Sequence, residues 1–239
     1  MPGRDHRTPV RPALVLDRTA ARPRAAVLVL HGGSVESLRP PGRLGAAAAR
    51  MVPFTRAVLR ATEGYDVVVG RVRYRHRGWN DGRADAARDA RRALDELEQL
   101  VGRVPVVLLG HSMGGRAALA AAGHSLVTGV VGLAPWCPPG EPVAQLAERR
   151  VVLLHSDRDR ITDPRGSVEL AARARVAGAE AAAVLLHGSD HGMVRRAATW
   201  HALATGSVTA LLGTAPFPEV VARAFREAAG GRTEPVQRA

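Results

Sequence analysis

The chain has 239 residues, enough for one large domain or two small ones with a sizeable core. Hydrophobic residues make up 46% and charged residues 23%, an ordinary balance for a soluble globular protein. The net charge of +12 comes from arginine alone, with no lysine anywhere. These arginines are scattered and not interleaved with aromatics, which disfavours a nucleic-acid partner. Cys137 is the single cysteine, so an intramolecular disulfide is excluded. The opening MPGRDHRTPVRP has no apolar stretch of signal-peptide type behind it. No run approaches the roughly 18 apolar residues of a membrane span. The expectation is a cytoplasmic protein without a membrane partner.

In chain order, short apolar runs alternate with longer helix-patterned segments. Strands are expected at 25–33, 65–74, 104–110, 127–136, 150–157 and 180–190, each short, aliphatic and closed by Gly, Asp or Pro. Their near-continuous apolarity is what a parallel sheet covered on both faces requires. Residues 37–51, after the first of these strands, read as a flexible rim. Helices are expected over 82–102, 112–123, 165–177, about 192–212 and 218–230. In the first of them Ala87, Ala90, Leu94, Leu97 and Val101 form one stripe. The alternation implies right-handed crossovers and an open, mostly parallel α/β sheet with helices on both faces. A single domain over 1–239 is expected, with frayed tails at about 1–12 and 231–239.

The stretch VVLLGHSMGGRAALAAAG (106–123) breaks a strand abruptly at Gly110-His111-Ser112-Met113-Gly114 and resumes as helix. G-x-S-x-G between a strand and a helix presents its serine on a sharp turn, with glycines where a side chain would meet neighbouring backbone. A serine hydroxyl needs a base to take its proton. In an open α/β sheet the partners come from loops at the carboxyl ends of other strands. One such loop offers Asp157 and Asp159, the other His187 and His191.

With these motifs in place, the chain resembles the alpha/beta-hydrolase superfamily from about Leu14 to Gly213. That resemblance aligns Asp159-Arg160-Ile161-Thr162 with the family's acid loop and implies Asp159 as the acid, with Asp157 as the alternative. It implies His191 as the base and leaves His187 a structural role, with Asp190 capping its own loop. His31, His111 and His155 are read as packing or loop-bonding residues. The family's oxyanion hole maps onto the amides of Met113 and Gly33, with Ser34 in the HGGS turn as a substitute or substrate contact. Trp136 is either a wall of an acyl pocket or simple core. Residues 137–149 leave room for one short helix, so no large cap is expected.

The resemblance implies a small lidless serine hydrolase for carboxylic esters or thioesters, with Ser112, Asp159 and His191 as its triad. Its partner would be a small-molecule acyl substrate, and activity would fall in acid because the imidazole base must be neutral. A non-catalytic ligand-binding protein and an acyltransferase or lyase on the same triad are the alternatives. No cofactor is expected, and no HxH or HExxH spacing suggests a metal. The basic loop 71–83 is either solvated or a site for an acidic or phosphate-bearing acyl donor.

Overall fold

A computed structural model describes residues 11–42, 45–230 and 236–237. Of the tails expected to fray, residues 1–10, 231–235 and 238–239 lie outside the described residues. The strands are β1 (Leu14–Arg18), β2 (Ala25–Leu30), β3 (Val67–Val72), β4 (Val106–His111), β5 (Val127–Leu133), β6 (Arg150–Ser156), β7 (Glu180–Leu186) and β8 (Val236–Gln237). They form one sheet in the order β1-β3-β2-β4-β5-β6-β7-β8. Only the β1–β3 pair is antiparallel. The helices are α1 (Ala46–Ala61), α2 (Asp85–Val101), α3 (Met113–Ala121), α4 (Pro164–Val176), α5 (Ala197–Leu211) and α6 (Glu219–Ala229).

The expected parallel α/β sheet with helices on both faces is the fold found. Within β2, Ala26, Leu28 and Leu30 belong to the core that also takes in α2, α3 and α4, while Val27 and Val29 belong to the one that takes in α1, α5 and α6. Both sets are buried because each face of the sheet is covered, so the strands read as unbroken apolar runs. The α2 stripe buries Ala87, Ala90, Leu94 and Leu97 as the 3.6-residue period requires. Between β5 and β6 there is only a three-residue 3-10 turn at Ala144–Leu146, and no cap.

Three elements depart from the expectation, one of them β8, which pairs Val236 and Gln237 with β7 inside the tail expected to fray. Residues 46–51, expected as flexible rim, begin α1, which buries Met51, Phe54, Thr55 and Val58 against the sheet. Pro53 removes one helical hydrogen bond, and tertiary burial outweighs that loss. The edge strand β1 was not expected because its five residues are only partly buried. It is fixed from outside the sheet pattern: the Glu96 carboxylate of α2 accepts the amides of Ala13 and Leu14 at 2.9 and 2.8 Å. The Arg18 guanidinium donates to the Leu59 and Thr62 carbonyls at 2.7 and 3.0 Å, tying β1 to the end of α1.

The consequence for function is spatial. The carboxyl ends of β2, β4, β6 and β7 lead into the loops that hold Gly33, Ser112, Asp159 and His191, all on one edge of the sheet. Replacing Leu94, fully buried between α2 and the sheet, with Ala should lower unfolding free energy by about 2–5 kcal/mol. Urea denaturation should show this as a lower midpoint at unchanged slope.

Candidate active site

Ser112 joins β4 to α3 at φ 55° and ψ −122°, a conformation that L-residues adopt only under constraint. Its amide donates to the Leu133 carbonyl at 3.0 Å, and its carbonyl accepts the amides of Arg116 and Trp136, both at 3.1 Å. The turn closes only without side chains beside it. A methyl on Gly110 would strike the Gly114 carbonyl, and one on Gly114 would strike the carbonyls of Leu30 and His31.

Above this turn the structure brings together the residues singled out in the sequence. His191 Nε2 lies 3.1 Å from Ser112 Oγ, and His191 Nδ1 lies 2.7 Å from Asp159 Oδ2. The Asp159 side chain is fully buried, whereas the His191 side chain keeps 17% of its surface exposed. The second oxygen of Asp159 accepts the amides of Ile161 and Thr162 at 2.8 and 3.0 Å. Burial alone would raise the Asp159 pKa. The hydrogen bonds from His155, His191, Thr162 and Ile161 outweigh it and hold the carboxyl well below the usual range. Asp159 is therefore an anion, oriented on four sides.

The neighbouring acid and histidine form a separate pair. Asp157 Oδ2 lies 2.6 Å from His187 Nδ1 on the surface, and its Oδ1 accepts the Gly188 amide at 2.9 Å. Asp190 caps its own loop, accepting the amides of Val194 and Arg195 at 3.2 and 2.7 Å.

Behind the acid lies a network that no motif announced. His155 Nε2 is 3.2 Å from Asp159 Oδ2, and its Nδ1 is 2.7 Å from Ser167 Oγ. With Nε2 protonated toward the carboxylate, Nδ1 is left to accept the Ser167 hydroxyl. Thr162 Oγ1 lies 3.0 Å from Asp159 Oδ2 and 3.2 Å from His191 Nδ1, beside the central hydrogen bond. One hint of this lies in the chain, since a histidine ending a buried strand needs polar partners.

Met113 opens α3 and Gly33 follows β2. Among the described residues neither amide donates to a backbone or side-chain acceptor. A side chain at Gly33 would collide with the Arg77 carbonyl and the Met113 side chain, so this turn packs directly on the residue after Ser112. The Ser34 amide, considered as a substitute donor, is already spent on the Arg77 carbonyl at 3.1 Å. The Ser34 hydroxyl is buried without a partner among the described residues. Trp136 sits in a stack: the Arg116 guanidinium lies 4.0 Å from the Trp79 ring and 4.3 Å from the Trp136 ring. Arg116 is also paired with the buried Glu141 at 2.7 Å. Trp136 thus stacks on Arg116 while staying partly exposed.

The basic loop 71–83 is largely neutralised. Arg71 pairs with Asp17, Arg75 with the buried Asp89, and Arg83 with the buried Asp85. Among the described residues no cluster of three or more His, Cys, Asp or Glu could hold a metal ion. No described helix is long and apolar enough to cross a membrane.

His111, beside Ser112, donates from Nε2 to the His191 carbonyl at 3.0 Å. Burial, reinforced by the adjacent His191, lowers its pKa from the ordinary 6.5 to about 4. The unfolded chain therefore binds a proton that the native state refuses. Stability from this group is complete above about pH 6.5 and is lost as pH falls toward 4. His111→Gln should flatten the stability profile over that interval by about 2–3 kcal/mol, measured by urea unfolding at pH 7.5, 6 and 5.

Comparison with known proteins agrees with this geometry. Residues 27–237 match the alpha/beta hydrolase family. Est1E from Butyrivibrio proteoclasticus superposes with a TM-score of 0.59 at 12% identity, over 84% of this chain and 93% of that one. The esterase domain of a Rhodothermus marinus protein gives 0.57 at 20% identity, over 82% and 89%. A serine hydrolase without a lid from Xanthomonas campestris gives 0.56 at 18% identity, over 82% and 88%. No curated protein sequence matches the chain. With the sheet order, the turn at Ser112 and a family match spanning most of its length, the chain belongs to the alpha/beta hydrolase family.

Proposed function

We propose that this protein is a serine hydrolase that cleaves carboxylic esters, with thioesters nearest in chemistry, through an acyl-enzyme on Ser112. The observation that carries this reading is the continuous relay from the exposed edge inward. Ser112 Oγ meets His191 Nε2 at 3.1 Å, and His191 Nδ1 meets the buried Asp159 at 2.7 Å.

In this reading, Ser112 Oγ attacks the ester carbonyl carbon while His191 Nε2 takes its proton. Asp159, held as an anion by its hydrogen bonds, fixes the imidazole tautomer with Nδ1 protonated and stabilises the cation that forms. The amides of Met113 and Gly33 receive the negative charge developing on the carbonyl oxygen. The bond to the alcohol oxygen breaks, and His191 returns its proton to that oxygen. Water then enters, gives a proton to His191 and attacks the acyl-serine, releasing the acid and restoring the serine hydroxyl. The esterase domain among the structural neighbours is in keeping with this chemistry. The strained turn at Ser112 favours it over a ligand receptor on the same fold, since binding alone needs no nucleophile on a constrained backbone.

A fluorophosphonate probe and p-nitrophenyl esters of increasing acyl length test the proposal. The wild type should be labelled and turn over. Ser112→Ala should lose labelling and at least about 10⁴-fold of its kcat, and Asp159→Asn about 10⁴-fold, with folding preserved by circular dichroism. Absence of labelling in folded wild-type protein would replace the hydrolase reading with the receptor one.

A further inference from the structure

A cavity of about 440 Å³ opens beside His191, and its walls include Arg158, Arg160, Ile161, Asp190 and Arg195. Its charge is not balanced from within. Arg158, Arg160 and Arg195 have no carboxylate partner among the described residues. Asp190 is the one acid in the wall, and its oxygens are occupied by the Val194 and Arg195 amides. Asp157, close by in sequence, is engaged by His187 and Gly188. A fourth cation approaches from α1, where Arg50 Nη2 would lie 3.6 Å from a methyl placed on Gly192. Several other arginines on this edge are paired: Arg75 with Asp89, Arg83 with Asp85, Arg116 with Glu141. Three arginines without a carboxylate partner on one concave wall suit a carboxylate or phosphate, which guanidinium groups can grip through paired N–H donors.

The position of the cavity says which part of a substrate would reach it. Along the sheet edge β2 lies on one side of β4, and β6 and β7 lie on the other. Gly33, and with it the oxyanion side, belongs to the first; the arginine cavity belongs to the second. In the proposed reaction His191 gives its proton to the departing alcohol oxygen, so the alcohol leaves over His191 and toward this cavity. Ile161, 74% exposed on the same wall, offers apolar contact to the body of that group.

We propose that the cavity lined by Arg158, Arg160 and Arg195 binds a carboxylate or phosphate carried on the alcohol portion of the ester, making anionic alcohols the preferred leaving groups. This rests on the hydrolase reading for its reaction, but the anion site itself can be measured without turnover.

The test compares 4-carboxyphenyl butyrate with 4-carbamoylphenyl butyrate, which share an acyl group and differ in leaving-group charge. Wild-type kcat/KM should favour the carboxylate at least about tenfold at low ionic strength, and added salt should shrink the preference. An Arg158→Ala, Arg160→Ala, Arg195→Ala variant should bring the ratio near one. Because the ratio is taken within each variant, a general loss of activity cancels. An Arg56→Ala, Arg60→Ala, Arg88→Ala variant, removing equal charge elsewhere, should keep the wild-type ratio. A fall there of the same size would trace the preference to overall charge and overturn the proposal.

In parallel, calorimetry on Ser112→Ala should find 4-hydroxybenzoate bound at least about tenfold tighter than 4-hydroxybenzamide. Competition by inorganic phosphate against benzoate then separates a phosphate-bearing from a carboxylate-bearing alcohol. Binding preference without fluorophosphonate labelling or turnover would keep the anion site and remove the hydrolase reading. Equal turnover of both esters with no binding preference would keep the hydrolase and remove the anion site.

Discussion

The Ser112 backbone is held at φ 55° and ψ −122°, and the arrangement of the site follows from what keeps it there. A non-glycine residue in that region costs about 1–3 kcal/mol. The strain persists because three backbone hydrogen bonds, to Leu133, Arg116 and Trp136, pin the residue between β4, α3 and the chain leaving β5. The same close packing sets Gly33 against the Met113 side chain, because the turn after β2 must fit against the turn after β4 without side chains between them. The constraint therefore presents the hydroxyl to His191 Nε2, 3.1 Å away.

The acid end is built on a different principle. A buried carboxylate is stable only where hydrogen bonds replace the water it has lost. Asp159 receives them from Ile161, Thr162, His155 and His191. His155 is held in turn by Ser167 on α4, so the orientation of the His191 imidazole is referred back to a helix of the scaffold. The surface pair Asp157 and His187 has no such backing, with the His187 side chain 70% exposed. Two similar acids two residues apart thus acquire different roles from their depth alone.

Arginine is distributed by the same logic. The cations of loop 71–83 mostly neutralise buried or half-buried acids and so hold the rim of the site in place. Arg116 fixes two tryptophans and Glu141 below it. Arg158, Arg160 and Arg195, which line the cavity beside His191, have no carboxylate partner among the described residues.

Much of this was legible in the chain itself. The parallel strands were readable because burial on both faces leaves unbroken aliphatic runs, and the turn at Ser112 because its steric demand is local and leaves glycines at fixed spacing. What the chain left open depended on contacts distant in sequence. Strand β1 takes its position from Glu96 and Arg18, and α1 forms around Pro53 because Met51, Phe54 and Val58 find the sheet. The use of Asp159 rather than Asp157 beside His191, the loss of the Ser34 amide to Arg77, and the packing of Trp136 on Arg116 are equally nonlocal. The fold class and the turn that carries Ser112 follow from the chain's local pattern, because short-range sterics and hydrophobic period govern both. Which acid stands behind His191 and which arginines line the cavity beside it depend on the tertiary fold, because burial and hydrogen-bond partners come from segments far apart in the chain.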